Sequence, residues 1–238
     1  MPANDQAPVP APRYVGFDLE TTGVDPFTDV PVSYGFVEFS ATGPRIKSGY
    51  INPGIAIPEA VTSIHGITDA DVASAPSLIE ATEFLAKSLS SIWAGGGVLV
   101  GMNVAYDLTM VESLTQRLGL KSLSERGEIG PVVDILILDR RLDKWRKGGR
   151  KLTDLCAHYG VEISNAHDAV ADVEASLKVL DAILARYTVL AALTPETINT
   201  TLRAWYVEWL TDFSSYLVKK GDTAPALGRY QWPIHTNE

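Results

Sequence analysis

Residues 14–23 read YVGFDLETTG, an apolar run that ends in two acids and a turn, and this stretch decides the fold. Its first part, residues 14–19, predicts a short buried strand, which the Thr-Thr-Gly sequence at 21–23 ends. Side chains two residues apart in a strand project from the same face, so Asp18 and Glu20 direct two carboxylates at one place. Neighbouring carboxylates raise each other's pKa unless a cation lies between them. Two solvated acids before a turn remain an alternative for this segment taken alone.

The segments that follow predict an α/β fold. Residues 31–39 and 45–51 are interpreted as two strands, and the short polar link at 41–44 makes them an antiparallel hairpin. Apolar residues at helical spacing, bounded by helix-breaking residues, predict helices at 77–93, 106–118, 152–159 and 168–187. Short strands are predicted at 98–100 and 132–133, and the second of them leads into the apolar run 135–138. Three strands followed by alternating strands and helices imply a mixed sheet with helices on both faces.

The C-terminal part of the chain has a different pattern. From about residue 195 a long helix with one apolar, aromatic face is predicted, and a Gly- and Pro-containing tail follows at 221–238. The face consists of Ile198, Leu202, Trp205, Tyr206, Trp209, Phe213, Tyr216 and Leu217. We expect it to pack on the preceding domain, and a partner or dimer surface is the alternative. The expected organisation is a flexible tail at 1–12, a main domain at 13–190, and a C-terminal helical extension and tail at 191–238.

Composition limits the classes of function. The 238 residues are 46% hydrophobic, enough for a sizeable core, and no apolar run approaches the roughly 20 residues that a membrane span needs. Residues 1–12 lack the basic and apolar segments of a signal peptide, so we expect a cytoplasmic protein. The single cysteine, Cys156, excludes an internal disulfide and lies in a helical apolar pattern, which predicts a buried side chain.

Charge limits them further. A net charge of −9 opposes general electrostatic attraction to nucleic-acid phosphates. The same charge is compatible with an enzyme that binds a few nucleotides through metal ions. The one strong positive cluster is at 140–151. It contains Arg140, Arg141, Lys144, Arg146, Lys147, Arg150 and Lys151. A solvated loop and a contact for the nucleic-acid backbone are both open interpretations of this cluster.

Two later segments carry further candidate groups. In NVAYD at 103–107, Asp107 falls in the first turn of a predicted helix, where an acid commonly serves only the helix dipole. In HDAVAD at 167–172, His167 and Asp172 can flank one pocket, while Asp168 suits a helix N-cap. Together these groups suit phosphodiester hydrolysis, because two divalent ions about 3.5–4 Å apart activate water and hold the leaving oxygen. Carboxylates suit Mg²⁺, and a histidine with a pKa near neutrality can accept the proton of the attacking water.

The three segments, 18–23, 103–107 and 166–172, resemble the motifs of the DEDDh 3′–5′ exonuclease superfamily, in particular the branch of the proofreading epsilon subunit of bacterial DNA polymerase III and its free-standing relatives. The resemblance extends over about residues 13–187 and implies an RNase H-like fold, a central mixed sheet flanked by helices. It also implies a catalytic set in which four acids bind metal and a histidine is the general base. These are Asp18, Glu20, Asp107 and Asp172, with His167 as the base.

The same resemblance implies substrate contacts. Thr21 would meet the terminal nucleotide through its backbone and side chain. The segment IHGIT at 64–68 matches an element that lies against the 3′-terminal nucleotide, which makes His65 a candidate, with an ordinary turn histidine as the alternative. Tyr106 stands where relatives often carry an aromatic residue beside the metal-binding Asp. Met102 departs from the pattern, since relatives commonly have a histidine there, and any polar role of that histidine would be missing.

The implied activity is removal of nucleotides from DNA 3′ ends with release of 5′-monophosphates, using two divalent cations, Mg²⁺ or Mn²⁺. Expected partners are single-stranded or frayed DNA 3′ ends and a DNA polymerase or replicase, with no membrane association. One alternative is the same chemistry on RNA, as an exoribonuclease or oligoribonuclease, since treatment of the 2′-hydroxyl is not readable from sequence. The other is a non-catalytic polymerase-associated module, which should have lost a ligand or the base, whereas all five residues are present.

Overall fold

A computed structural model describes residues 12–163, 168–188, 190, 193–225 and 227–237. Within these residues, five strands form one sheet in the order β3-β2-β1-β4-β5. They are β1 Arg13–Thr21, β2 Pro31–Ser40, β3 Gly43–Tyr50, β4 Gly97–Gly101 and β5 Val132–Asp134. The expected N-terminal tail lies, up to residue 11, outside the described residues.

The sheet is mixed, as the order of elements predicted. β2 pairs antiparallel with β1 and with β3, which confirms the hairpin, whereas β4 pairs parallel with β1 and with β5. Parallel strands end at the same edge of a sheet, so whatever follows β1, β4 and β5 is brought together there. Gly16 pairs with Val100, which places Asp18 and Glu20 at that edge beside the start of the segment after β4.

Helices flank the sheet. The longer ones are α3 Leu78–Ala94, α4 Val104–Arg117, α6 Ile135–Leu142, α7 Leu152–Tyr159, α8 Ala169–Arg186 and α9 Pro195–Lys220. The short helices α1 Glu59–His65, α2 Asp69–Val72 and α5 Leu123–Arg126 were not predicted, because they are too short to show an apolar period. The apolar run 135–138 is helical rather than a continuation of β5. The Asp134 carboxylate caps it by accepting the N–H of Leu136 at 2.8 Å.

Helix α8 lies directly on β1 and β2, and two glycines allow this approach. A Cβ at Gly16 would lie 2.4 Å from Cγ1 of Val173, and a Cβ at Gly35 would lie 2.9 Å from the carbonyl of Ala169. The close contact carries the first turn of α8, with Asp172, over the end of β1. Cys156 on α7 is buried, as predicted.

The basic cluster is largely paired within the protein. Asp139 on α6 is fully buried and accepts hydrogen bonds from Arg146, at 2.9 Å, from Arg150, and from the hydroxyl of Tyr159, at 3.0 Å. These bonds replace the hydration that the buried carboxylate loses. None of the described ion pairs involves Lys147, which is exposed.

The remaining paired cations of this cluster bind α9. Arg141 forms an ion pair with Glu208 at 2.8 Å, and Lys144 forms one with Asp212 at 2.9 Å. The Arg140 guanidinium lies 3.5 Å from the centre of the Trp209 ring. The cluster therefore attaches α9 to the core instead of forming a solvated loop.

The predicted packing of the aromatic face of α9 on the preceding residues is confirmed in part, because Phe213 and Tyr216 of that face are exposed. Ile198, Leu202 and Tyr206 are buried, and α9 contacts α6 and β5. The tail after α9 is packed as well, since Trp232 is buried and the N–H of His235 donates to Thr109 at 2.8 Å. No helix within the described residues is both long and apolar enough to span a bilayer.

Candidate active site

Three carboxylates from two elements meet at the end of β1. Asp18 and Glu20 project from one face of the strand, and Asp172 projects from the first turn of α8. One carboxylate oxygen of each lies within 4.8 Å of the other two. This spacing and these oxygen donors suit a hard divalent cation.

Asp107 reaches the same strand from α4. Asn103 adopts a left-handed conformation, φ 58°, which a short polar side chain tolerates, and so the chain enters α4 directly from β4. The N–H of Asn103 donates to Asp134 at 3.0 Å, which holds this turn. Asp107 is buried, and its Oδ1 accepts the N–H of Leu19, the residue between Asp18 and Glu20, at 3.1 Å.

Three of the four acids, Asp18, Glu20 and Asp107, have raised pKa values. Burial raises the pKa of Asp18 well above its usual range, and the charges of Asp107, Glu20 and Asp172 raise it further. Burial, followed by the charges of Asp172 and Asp168, raises the pKa of Glu20 to about 8. Burial also raises the pKa of Asp107, although backbone N–H donors, including that of Leu19, act to lower it. A cation placed among these groups would reverse the shifts, because it favours the charged forms.

The start of α8 is fixed one residue after the predicted base. Asp168 caps the helix as predicted, accepting the N–H groups of Val170 and Ala171 at 3.1 and 3.0 Å. His167 itself lies outside the described residues, and its role stays a prediction.

A cavity of about 590 Å³ lies on one side of the carboxylates. Glu20 and His65 both line it, so the structure brings His65 to the site. His65 ends α1, and its Nδ1 accepts the N–H of Ile67 at 3.0 Å, which orients the ring. Tyr34 and Tyr50 also line the cavity and were missed, because their proximity depends on pairing between β2 and β3 rather than on a motif.

The side chains of Thr21 and Tyr106 contact each other, with their hydroxyl oxygens 3.1 Å apart. The Tyr106 hydroxyl donates to the carbonyl of Gly23 at 2.6 Å, and the Thr21 hydroxyl donates to the same oxygen at 2.7 Å. Burial raises the pKa of Tyr106, which keeps the phenol protonated as a donor. These two predicted contact residues therefore hold the turn that follows Glu20.

Comparison with known proteins identifies the class. Residues 15–180 match the exonuclease family, and the chain belongs to that family. It is 31% identical over 171 residues to a DNA polymerase III PolC-type of Oceanobacillus iheyensis, covering 68% of this chain and 11% of that one. It is also 31% identical over 192 residues to a DNA polymerase III subunit epsilon-like protein of Rhodobacter capsulatus, covering 76% of this chain and 25% of that one. The chain thus spans a minor part of these relatives.

Solved structures agree on the fold. E. coli Exonuclease I in complex with a dA16 oligonucleotide is similar with a TM-score of 0.61 and 19% identity, over 75% of this chain and 42% of that one. Exonuclease X in complex with 5′ overhanging duplex DNA is similar with a TM-score of 0.57 and 20% identity, over 79% of this chain and 99% of that one. The predicted RNase H-like exonuclease fold is confirmed.

Proposed function

We propose that the protein is a metal-dependent 3′–5′ exodeoxyribonuclease, which removes nucleotides from DNA 3′ ends and releases 5′-monophosphates. The observation that carries this proposal is the meeting of Asp18, Glu20 and Asp172 within 4.8 Å, with buried Asp107 bonded to the same strand, in a member of the exonuclease family. The similar proteins include DNA polymerases and DNA-bound exonucleases, which supports DNA as the substrate.

Asp18, Glu20, Asp107 and Asp172 would hold two divalent cations, Mg²⁺ or Mn²⁺. The donor set fits, because every ligand is a carboxylate oxygen. The raised pKa values of Asp18, Glu20 and Asp107 mean that their charged forms need a nearby positive charge. None of the described ion pairs joins a lysine or arginine to Asp18, Glu20 or Asp107. The bound ions would supply an activated water and neutralise charge on the leaving oxygen.

The remaining roles belong to the chain's own side chains. His167 would accept the proton of the attacking water. The next residue, Asp168, is held in place as the N-cap of α8. The terminal nucleotide would occupy the cavity with His65, which has the volume of a small-ligand site. Thr21 would meet that nucleotide from the turn that it and Tyr106 hold.

We further propose residues 13–190 as the exonuclease domain and residues 191–238 as a C-terminal extension. The relatives named DNA polymerase III PolC-type and epsilon-like support association with a DNA polymerase or replicase. The cytoplasmic location expected from sequence stays a prediction.

A time course on 5′-labelled single-stranded DNA and on the matching RNA, with Mg²⁺, Mn²⁺ or EDTA, tests the activity. We expect a metal-dependent ladder that shortens from the 3′ end, faster on DNA. Faster shortening of the RNA would indicate an exoribonuclease instead. No shortening of either substrate would favour a non-catalytic binding module.

Variants test the assigned residues. Asp107→Asn should abolish hydrolysis, whereas Glu174→Gln should not, because Glu174 lies on α8 near Asp172 but pairs with Lys178 at 3.6 Å. His167→Gln should lower kcat by about 10²–10⁴-fold, the usual worth of general base catalysis. It should also remove the ionisation near neutrality from the pH–rate profile. An unchanged profile would exclude His167 as the base.

A further inference from the structure

A second cleft, of about 670 Å³, has Tyr106 in its lining. Its walls are the turn after β1, the start of α4, and α9 with the C-terminal segment. Among the described residues, six Phe, Tyr and Trp side chains line it: Phe27, Tyr106, Tyr206, Trp209, Phe213 and Tyr230. Among the described residues, this cleft and the His65 cavity have no lining residue in common. We refer to it as the aromatic cleft.

The aromatic cleft begins beside the carboxylates. Asn103 and Tyr106 line it, and Asp107 is the next residue of α4. The Tyr106 hydroxyl donates to the carbonyl of Gly23, three residues beyond Glu20. A strand bound with its terminal nucleotide beside His65 would therefore cross the carboxylates and enter the aromatic cleft.

An open stacking surface stands at its edge. The Arg140 guanidinium lies 3.5 Å from the centre of the Trp209 ring, and the Trp209 and Phe213 rings stack at 5.3 Å with an angle of 11°. Phe213 lines the cleft and is 38% exposed, so its ring is accessible to another flat group. A nucleobase suits such a surface, because every base has a face that stacks on an aromatic ring.

The charge of the lining suits a phosphate backbone. The one carboxylate among the described lining residues is Asp25, which pairs with Arg229 at 3.4 Å. The Arg229 guanidinium also lies 4.7 Å from the centre of the Phe27 ring. Arg140 and Arg229 thus leave the described lining with more positive than negative charge, on a chain whose net charge is −9.

We propose that the aromatic cleft binds the nucleotides on the 5′ side of the scissile phosphodiester, with a base stacked on Phe213 and a phosphate at Arg229. This inference rests on the proposed function. It assigns the C-terminal extension a substrate-binding role, and it favours single-stranded 3′ ends, because a base inside a duplex has both faces covered by its stacked neighbours.

Two substrates separate this role from catalysis. Thymidine 5′-(p-nitrophenyl phosphate) has no nucleotide on the 5′ side, whereas a thymidine oligonucleotide of about 12 residues fills the cleft. Base–aromatic stacking contributes about 1–3 kcal/mol, so Phe213→Ala should lower kcat/KM on the oligonucleotide roughly 5- to 150-fold, mainly through KM. Arg229→Gln should lower it too, and should reduce the salt dependence of binding by about 0.7 in log–log slope. Both variants should hydrolyse the nitrophenyl substrate at the wild-type rate.

Two matched controls lie on α9 outside the cleft. Tyr216 is exposed and Arg203 is exposed, and neither lines the cleft. Tyr216→Ala and Arg203→Gln should behave as wild type on both substrates. Equal loss on both substrates in the Phe213 and Arg229 variants, or oligonucleotide kinetics matching these controls, would overturn the proposal.

A binding measurement distinguishes failure of this proposal from failure of the proposed function. Wild-type protein that hydrolyses neither substrate would contradict the nuclease function. Fluorescence anisotropy with labelled oligonucleotide in EDTA still reports on the cleft, and there Phe213→Ala should weaken affinity at least about 5-fold. Unchanged affinity would exclude the cleft as a nucleic-acid site whatever the outcome of the hydrolysis assays.

Discussion

Asp18→Asn should stabilise the metal-free protein while abolishing hydrolysis. Asp18 stands among three other carboxylates, and burial together with their charges raises its pKa well above its usual range. Asparagine has almost the same shape, so the substitution removes charge without leaving a cavity. Carboxylates grouped to bind cations repel each other in the metal-free protein and lower its stability. Neutralising one of these carboxylates recovers part of that loss.

The size of the effect follows from the geometry. Two unit charges 4.8 Å apart repel by about 3.5 kcal/mol at an effective dielectric constant of about 20. Shared protons and partial solvent exposure of Asp18 and Glu20 reduce this figure. We therefore expect a gain of about 1–3 kcal/mol at alkaline pH, or about 2–4 °C in Tm for each kcal/mol.

The pH dependence has a definite sign. A carboxyl whose folded pKa is raised binds its proton more tightly in the folded state, so the stabilisation is complete below the unfolded pKa. For Glu20 it is lost as pH rises from its ordinary value of 4.5 to about 8. The metal-free wild type should therefore lose stability over this range, and the advantage of Asp18→Asn should grow with pH.

Thermal melting in EDTA and in Mg²⁺ across this pH range is the assay. Mg²⁺ at about 100 times its Kd should stabilise the wild type by about 2.7 kcal/mol, and should stabilise Asp18→Asn much less. Glu174→Gln serves as the control and should respond like the wild type. A lower Tm for Asp18→Asn than for the wild type in EDTA at alkaline pH would refute the reasoning, as would a wild-type Tm insensitive to Mg²⁺ and Mn²⁺.

Three further substitutions test the surroundings of the site. Asp139→Asn removes the buried carboxylate that the Arg146 and Arg150 guanidinium groups share and should cost about 3–5 kcal/mol in urea unfolding. A loss below about 1 kcal/mol would contradict this ion-pair network. Tyr106→Phe removes the donor to the Gly23 carbonyl and should lower kcat/KM about 10-fold with little change in Tm. Wild-type kinetics would show that this hydrogen bond does not position the turn after Glu20. Gly35→Ala places a Cβ 2.9 Å from the carbonyl of Ala169, so we expect a loss of about 1–3 kcal/mol in the free energy of unfolding, measured by melting, and slower hydrolysis. Wild-type values in both measurements would contradict direct packing of α8 on β2.

Local sequence determined the parts of the site that depend on neighbouring residues. The period of a strand makes Asp18 and Glu20 share a face, and the stereochemistry of a helix start makes Asp168 a cap. The long helices were predicted because several turns repeat the same apolar spacing, whereas α5, with four residues, shows no such repeat. The run 135–138 was ambiguous, because a short apolar segment suits either a strand or a buried helix.

Only the tertiary structure decided how distant segments meet. Asp107 is bonded to the backbone of Leu19, 88 residues away, because parallel pairing of β1 and β4 brings the ends of both strands to one edge. The charges at 140–151 resembled a free basic patch, yet Arg141 pairs with Glu208, 67 residues along the chain. The aromatic residues after 195 likewise form a cleft only when the C-terminal segment folds back over α4. Local stereochemistry acts on adjacent residues, but such pairings depend on which surfaces bury the most apolar area together, and no short stretch of sequence contains that information.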